Sequence, residues 1–503
     1  MATTYSTPGV YLQELPAFPK GIVPVPGSVT VFIGYTEKAE LNGRSYMHVP
    51  HAINSLDEYE TIYGKGPDAV TKFFIVKADG DIASSPLHPV IDLAGQAYKI
   101  SLQSAAFRLY NSLRLFFANG GGRCYIISVG DYHQQPSLDD FSSAIIFLKN
   151  EYEPSILVIP DALALPAADH AALVQQSLVY CAEAENCITI LDVYDGAIAD
   201  PEQVEPVITQ FRNGNGDLGL SYGTAYFPWL HTGIVARAEI SFLNFPDDVS
   251  SFLEKNDAVS KSLEPIPSLR SAYVKDPADA SLIAAIQEAN KTLLSVSEQY
   301  YSLVSAALSI LNVLPPSAAM AGIYALLENT ATISKAAANI TLAAVLSPTV
   351  NLTDKQQMFL NVDTSGKSVN ALRAFPMRGV VAWGAKTLDD NEIFFRYINV
   401  RRTLIFIEQS IRQGLHSYVF ESNVEATWVT VKNEIENFLF GFWKKGGLAG
   451  STPADAYVVE IGLGSTMSAE DILYGFMRVT VLIAVSHPGE FIEINFQEEL
   501  STS

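Results

Sequence analysis

Two glycine-framed runs lie end to end in this chain, and each spells a chemistry. Gly214-Asn-Gly-Asp-Leu-Gly219 carries the letters of the dinucleotide fingerprint, in which glycines let the backbone approach a pyrophosphate at a helix N-terminus. Gly219-Leu-Ser221-Tyr-Gly223 carries those of the nucleophile elbow, which lifts a serine off a sharp strand-to-helix turn. Both chemistries require a strand ahead and a helix behind. Residues 203–213 lack strand character, and the run after Gly219 meets Pro228 before a long helix could start, so glycines in a loop with positive backbone angles fit better. Gly120-Gly-Gly122 resembles a phosphate loop, but no Gly-Lys-Ser/Thr follows and a strand comes next, which makes it a turn. Cys181 and Cys187, with His170 upstream, are spaced unlike the short Cys-x-x-Cys pairs that hold zinc. The histidines are scattered, with none placed beside a carboxylate and a nucleophile. The Asn-x-Thr letters at Asn339 and Asn351 would stay bare in a cytosolic chain. No catalytic, metal or cofactor site is expected.

Composition bounds what is left. A chain of 503 residues with 48% hydrophobic content is too long for one core and can bury about two to four. A net charge of −22 argues against a nucleic-acid partner, since phosphate binding needs an excess of Lys and Arg. The excess is uneven: residues 371–503 hold 11 basic against 16 acidic groups, and 371–412 alone are positive, with seven against four. There Arg396, Arg401, Arg402 and Arg412 read either as solvated charge or as partners for acidic groups on a neighbouring subunit. No apolar run reaches membrane-span length, and the start, MATTYSTPG, lacks the regions of a signal peptide, so cytoplasmic synthesis without membrane insertion is expected. Three cysteines, Cys124, Cys181 and Cys187, fit core thiols in a reducing compartment.

The elements that would position any site alternate in type. Residues 1–27 hold five prolines and read as an extended arm whose one strand-like run is 10–15. VTVFIG at 29–34, CYIISV at 124–129, SILVIP at 155–160 and ITILDV at 188–193 read as buried strands, and 103–117 and 169–183 as helices. That alternation predicts an α/β layer. Residues 231–313 lose the strand pattern and repeat apolar residues at helical spacing, an insertion expected on the outer surface. Beyond it, Tyr397, Val400, Leu404, Ile407, Ile411 and Leu415 form one helical face, and Val424, Trp428, Val431, Ile435, Phe438 and Phe442 another, with Asn423 as its cap. Strands at 456–461 and 476–485 flank a turn capped by Ser468 and Asp471.

Two strands are marginal alone and leave open edges, while each terminus carries an alternating run with no partner. Val10, Tyr11 and Leu12 near the start, and Phe491, Ile492, Ile494 and Phe496 near the end, suit strand addition. The residues alone leave open whether the arms fold back on their own subunit or reach a neighbour.

The runs RGVVAWGAKTL at 378–388, FFRYINVRRTLIFIEQSIRQGL at 394–415, VFESNVEATWVTVKNEIENFLFGFWKKGGLAG at 419–450 and AEDILYGFMRVTVLIAVSHPGEFIEINF at 469–496, with TPGVYLQEL at 7–15, resemble the sheath proteins of contractile tails. SYGTAYFPWL at 221–230 and LPPSAAMAGIYALLENT at 314–330 extend the resemblance inward. FESN where FEPN is common, and STMSAEDI without the usual Asn-Thr pair, depart from it. The resemblance implies a multidomain α/β (α+β) chain with a mixed-sheet core: arm 1–27, α/β region 28–230, helical insertion 231–313, return segment 314–370, C-terminal core 371–489 and arm 490–503. It implies a structural subunit rather than an enzyme, one that polymerises in helically stacked hexameric rings around an inner tube and contracts to drive that tube through a target envelope. The arms would exchange strands between subunits. Expected partners are its own copies, the inner tube protein, baseplate and cap proteins, and a second sheath paralogue; Lys444 and Lys445 are the candidate tube-facing residues. The particle would assemble in the cytoplasm and resemble a phage tail, released or membrane-anchored. A contractile bacteriophage tail sheath is the nearest alternative. A hydrolase built on Ser221 and a histidine, or another structural shell protein, are the others.

Overall fold

The computed structural model describes residues 21–67, 72–78, 84–102, 107–277, 279–361 and 365–490. The chain is mixed α/β and forms two bodies, one of residues 26–406 with 486–490, the other of 21–25 with 407–485.

The larger body is built on a nine-stranded sheet. Its centre runs Asn370–Phe375, Gly223–Phe227, Ile188–Asp192, Ile156–Val158, Thr30–Thr36, Cys124–Asp131, each strand parallel to the next. The four strands read from VTVFIG, CYIISV, SILVIP and ITILDV are all in it. Thr30–Thr36 is buried along its whole length, as expected of a strand covered on both faces. Its alternation divides two cores: Phe32 packs with Phe116 and Tyr324, while Val31, Ile33 and Tyr35 pack with Phe141 and Leu157. Helices Leu109–Ala118 and Ser317–Thr330 supply the first core, Leu138–Phe147 and Ala167–Ala184 the second. The sheet ends in short antiparallel strands, His51–Ile53 of three residues on one side and Ile340–Thr341 of two on the other.

A separate core lies in the same body. Helices Asp257–Leu263, Ile266–Lys275, Ala280–Val296 and Glu298–Leu311 fill most of the region read as a helical insertion. They share their interior with a three-stranded antiparallel sheet of Phe73–Lys77, Gln96–Leu102 and Val90–Leu93, so that Phe73, Leu93 and Ile100 pack with Phe242, Leu293, Tyr300 and Leu303. Periodicity in 231–313 could not reveal strands supplied from more than a hundred residues earlier. The helix expected over 103–117 begins at Leu109. The cause is distant in sequence: the Asp161 carboxylate takes the backbone N–H groups of Arg108 and Leu109 at the helix start.

In the smaller body, helix Glu425–Lys444 buries Val431, Ile435, Phe438, Leu439 and Phe442. Its N-cap is Val424, which corrects the assignment of Asn423. Asn423 Oδ1 instead accepts from the Trp428 indole N–H at 2.7 Å, and its Nδ2 donates to Phe476 O at 3.0 Å. Ser468 and Asp471 form the reciprocal capping box expected of them. Strands Tyr457–Glu460 and Thr480–Ile483 pair antiparallel with each other in a sheet of two.

Candidate assembly surfaces

The motif look-alikes resolve into joints. Gly214–Gly219 follows helix Val204–Gly214 rather than a strand, and a Cβ at Gly219 would crowd Leu178 O, so this glycine at φ 69° makes a close backbone crossing. Ser221 sits in a one-turn helix, and its Oγ accepts from Arg401 Nη2 at 2.8 Å. Gly120 turns the chain from helix Leu109–Ala118 into strand Cys124–Asp131. Cys124, Cys181 and Cys187 are buried free thiols, and burial pushes Cys181 well above its usual range, against the thiolate that a metal needs. Burial lowers His170 to about 4, so it is a neutral core imidazole. Among the described residues no His, Cys, Asp and Glu gather as a metal would require.

In a doubly wound sheet, ligands settle at the carboxyl ends of the strands where the strand order reverses, here between Thr30–Thr36 and Ile156–Val158. This chain fills that crevice itself. Asp161, fully buried one turn past Val158, accepts backbone N–H groups from Tyr35 at 2.8 Å, Leu109 at 3.0 Å and Arg108 at 2.5 Å. An anion drawn to the N-terminus of helix Leu109–Ala118 would need those same donors. Alongside, Asp192 accepts from the Ser317 N–H and hydroxyl. Burial raises Asp161 to about 6 and Asp192 to about 7. Sequence reasoning missed both aspartates; the only local signal was an Asp at or just past the end of a buried apolar strand.

The positive run at 371–412 is corrected too. Arg396 pairs with Asp390 at 3.0 Å. Arg401 stacks on Phe395 and Tyr222, and the buried Arg402 bonds to Ser28 and covers Tyr324. These three guanidiniums are tied within their own subunit, and two of them lie in its interior. The arm residues Val10, Tyr11, Leu12, Phe491, Ile492, Ile494 and Phe496 lie outside the described residues. Lys444 and Lys445 are exposed at the C-terminal end of helix Glu425–Lys444.

The surface that stands out is in the smaller body. Ala484 N donates to Ala456 O, which fixes the phase of the ladder. The pairs Val458/Leu482 and Glu460/Thr480 therefore exchange bonds across it, whereas Val481 and Ile483 on one strand, and Tyr457 and Val459 on the other, turn their N–H and C=O outward. Among the described residues no strand pairs with either outer edge along Tyr457–Glu460 and Thr480–Ile483; just past the ladder, Leu448 bridges Val485 and Ala449 N donates to Ala484 O at 2.9 Å. Beside the ladder, Leu463, Phe476 and Leu482 are exposed, with Leu473 83% and Tyr474 68% accessible. Each such side chain is worth about 1.5–3 kcal/mol when buried, so this surface favours a partner.

The comparison with solved structures finds chains of like fold in contractile sheaths. The PVC sheath of an extracellular contractile injection system, in its contracted state, shares 23% identity over 99% of each chain with a TM-score of 0.58. The helical sheath of the anti-feeding prophage (AFP), also contracted, shares 22% over 99% of this chain and 100% of that one, at 0.60. A chain of the contracted AFP baseplate shares 21% over the same extents, at 0.63. These likenesses establish the fold. Models of known protein families and curated proteins give no match.

Proposed function

We propose that this chain is the sheath subunit of a contractile injection apparatus. It polymerises helically around an inner tube in a metastable extended state, and contraction drives the tube through a target envelope. The observation that carries this reading is the two-stranded sheet whose outer edges no strand pairs with among the described residues, in a chain whose termini hold alternating strand-like runs. Strands exchanged between subunits from within the arms 1–27 and 490–503 complete that sheet, with Val10, Tyr11, Leu12, Phe491, Ile492, Ile494 and Phe496 as the exchanged side chains.

The division into arms, α/β region, outward insertion and C-terminal core belongs to the same reading. Work comes from two packings of one subunit that differ in buried interface, so no nucleotide or catalytic group is needed. Asp161 supports this, since it occupies the donors that a bound phosphate would use. The subunits stack as hexameric rings between a baseplate and a cap, with a second sheath paralogue in the same tube. Assembly is cytoplasmic, and among the described residues no helix is long and apolar enough to cross a membrane.

Sedimentation and negative-stain microscopy of the purified chain, alone and with its tube protein, test the proposal. Tubes of uniform diameter are expected; flat or spherical assemblies, or a strict monomer at every concentration and salt, overturn it.

A further inference from the structure

Both ends of the larger body are fastened to one short piece of chain. At the N-terminal root, Gly27 N donates to Glu328 Oε1 at 2.7 Å and Gly27 O accepts from Arg402 Nη2 at 3.2 Å. Ser28 Oγ accepts from the same guanidinium at 2.5 Å and donates to Tyr324 O at 3.2 Å. Arg402 is buried and stacked 4.4 Å from the Tyr324 ring centroid, so its fork has one geometry available. Gly27 fits because any Cβ there would collide with Ile333.

At the other root, the buried Asn399 donates from Nδ2 to Ser486 O at 3.3 Å and to Ser334 O at 2.8 Å. Tyr397 OH donates to Glu490 Oε2 at 2.9 Å, and its ring meets His487 edge-on. Residues 397, 399 and 402 span about one and a half helical turns at the start of helix Ile398–Leu415. The nine-stranded sheet takes no part in joining the two roots along this route.

We propose that Tyr397, Asn399 and Arg402 are positioning residues that anchor both terminal segments to a single helix start, so that pull on one arm reaches the other through residues 397–402. In a sheath whose neighbours are joined by arms, tension between rows then bypasses the nine-stranded sheet while the body moves as a rigid unit. The inference rests on the sheath reading for its purpose, but its mechanics belong to the lone subunit.

The test pulls the full-length chain in an optical trap by handles at its two ends. Tyr397→Phe removes one bond at the outer edge of the body, and Arg402→Lys keeps the buried charge while losing the fork. In each variant the terminal segments should detach at a lower force, with a rupture rate at fixed force up roughly tenfold for each bond lost. The thermal midpoint of Tyr397→Phe should stay at the wild-type value, which a merely structural role would not allow. Unchanged first-rupture forces in Tyr397→Phe and Glu490→Gln, which fold even if the Arg402 variant does not, overturn the anchor. Contracted tubes of Tyr397→Phe should fragment more than wild type. If the wild type forms no tubes the sheath reading fails, while the trap result still decides the anchor.

Discussion

Proline at position 481 separates the fold from the assembly. In strand Thr480–Ile483 the N–H of Leu482 bonds inward to Val458, whereas that of Val481 points to the open side. Val481→Pro therefore leaves the internal ladder intact and should cost the monomer less than about 1 kcal/mol, because proline is tolerated where an edge N–H faces solvent. Leu482→Pro, one residue away, removes a ladder bond and should cost about 1–3 kcal/mol. For the polymer the order reverses. Val481 and Ile483 together offer an incoming strand two donors and two acceptors, each bond worth about 1 kcal/mol net. Proline removes one donor and its ring holds the strand away from the adjacent acceptor. The loss of about 2 kcal/mol per contact weakens each association about thirtyfold. Thermal unfolding of the monomer and sedimentation of the polymer, run on both variants, read the two effects apart. Val481→Pro tubes that assemble at the wild-type critical concentration would refute the reasoning, since no strand could then be docking on that edge.

Removing residues 1–15 or 491–503 should leave folded, soluble monomers that form no tubes; unchanged polymer yield in pelleting assays would show that the arms are dispensable. Reversing both charges with Lys444→Glu and Lys445→Glu should leave the monomer's melting curve intact and abolish co-sedimentation with the inner tube. Burial holds Asp192 at about 7, above its unfolded value near 3.9, so its contribution to stability is complete below about pH 4 and disappears as pH rises through 7. Urea midpoints should therefore fall from pH 6 to pH 8, and Asp192→Asn should flatten that fall; an identical slope in the variant would assign the titration elsewhere.

What the sequence made legible is what short-range pattern encodes. The strand of residues 29–34 announced itself because all its side chains are apolar or small, and Val431, Ile435, Phe438 and Phe442 because they share one helical stripe. Ser468 and Asp471 were readable because a capping box is complete within four residues. Asn423 misled because the indole N–H of Trp428 competes for its side chain, a contact set by packing rather than by spacing. Asp161 and Asp192 were silent because their partners lie far off in the chain, Tyr35 and Leu109 for one and Ser317 for the other. The same distance hid the sheet that the helices of 257–311 pack on. Of the candidate surface, the two strands and the arms' alternation were legible, whereas the outward phase of Val481 and Ile483 required the ladder itself.

The nine-stranded sheet closes with strands of three and two residues, too brief to template another chain, while among the described residues the small sheet of Tyr457–Glu460 and Thr480–Ile483 has no strand on either flank. In the proposed sheath, freshly made copies would crowd together before any tube exists, and every bare flank would then be an invitation to the wrong guest. By closing its largest sheet this way, the fold draws a distinction between the flanks it offers and the sheet it withholds. A lengthened strand at His51–Ile53 would forfeit that distinction even if the subunit gained stability from it.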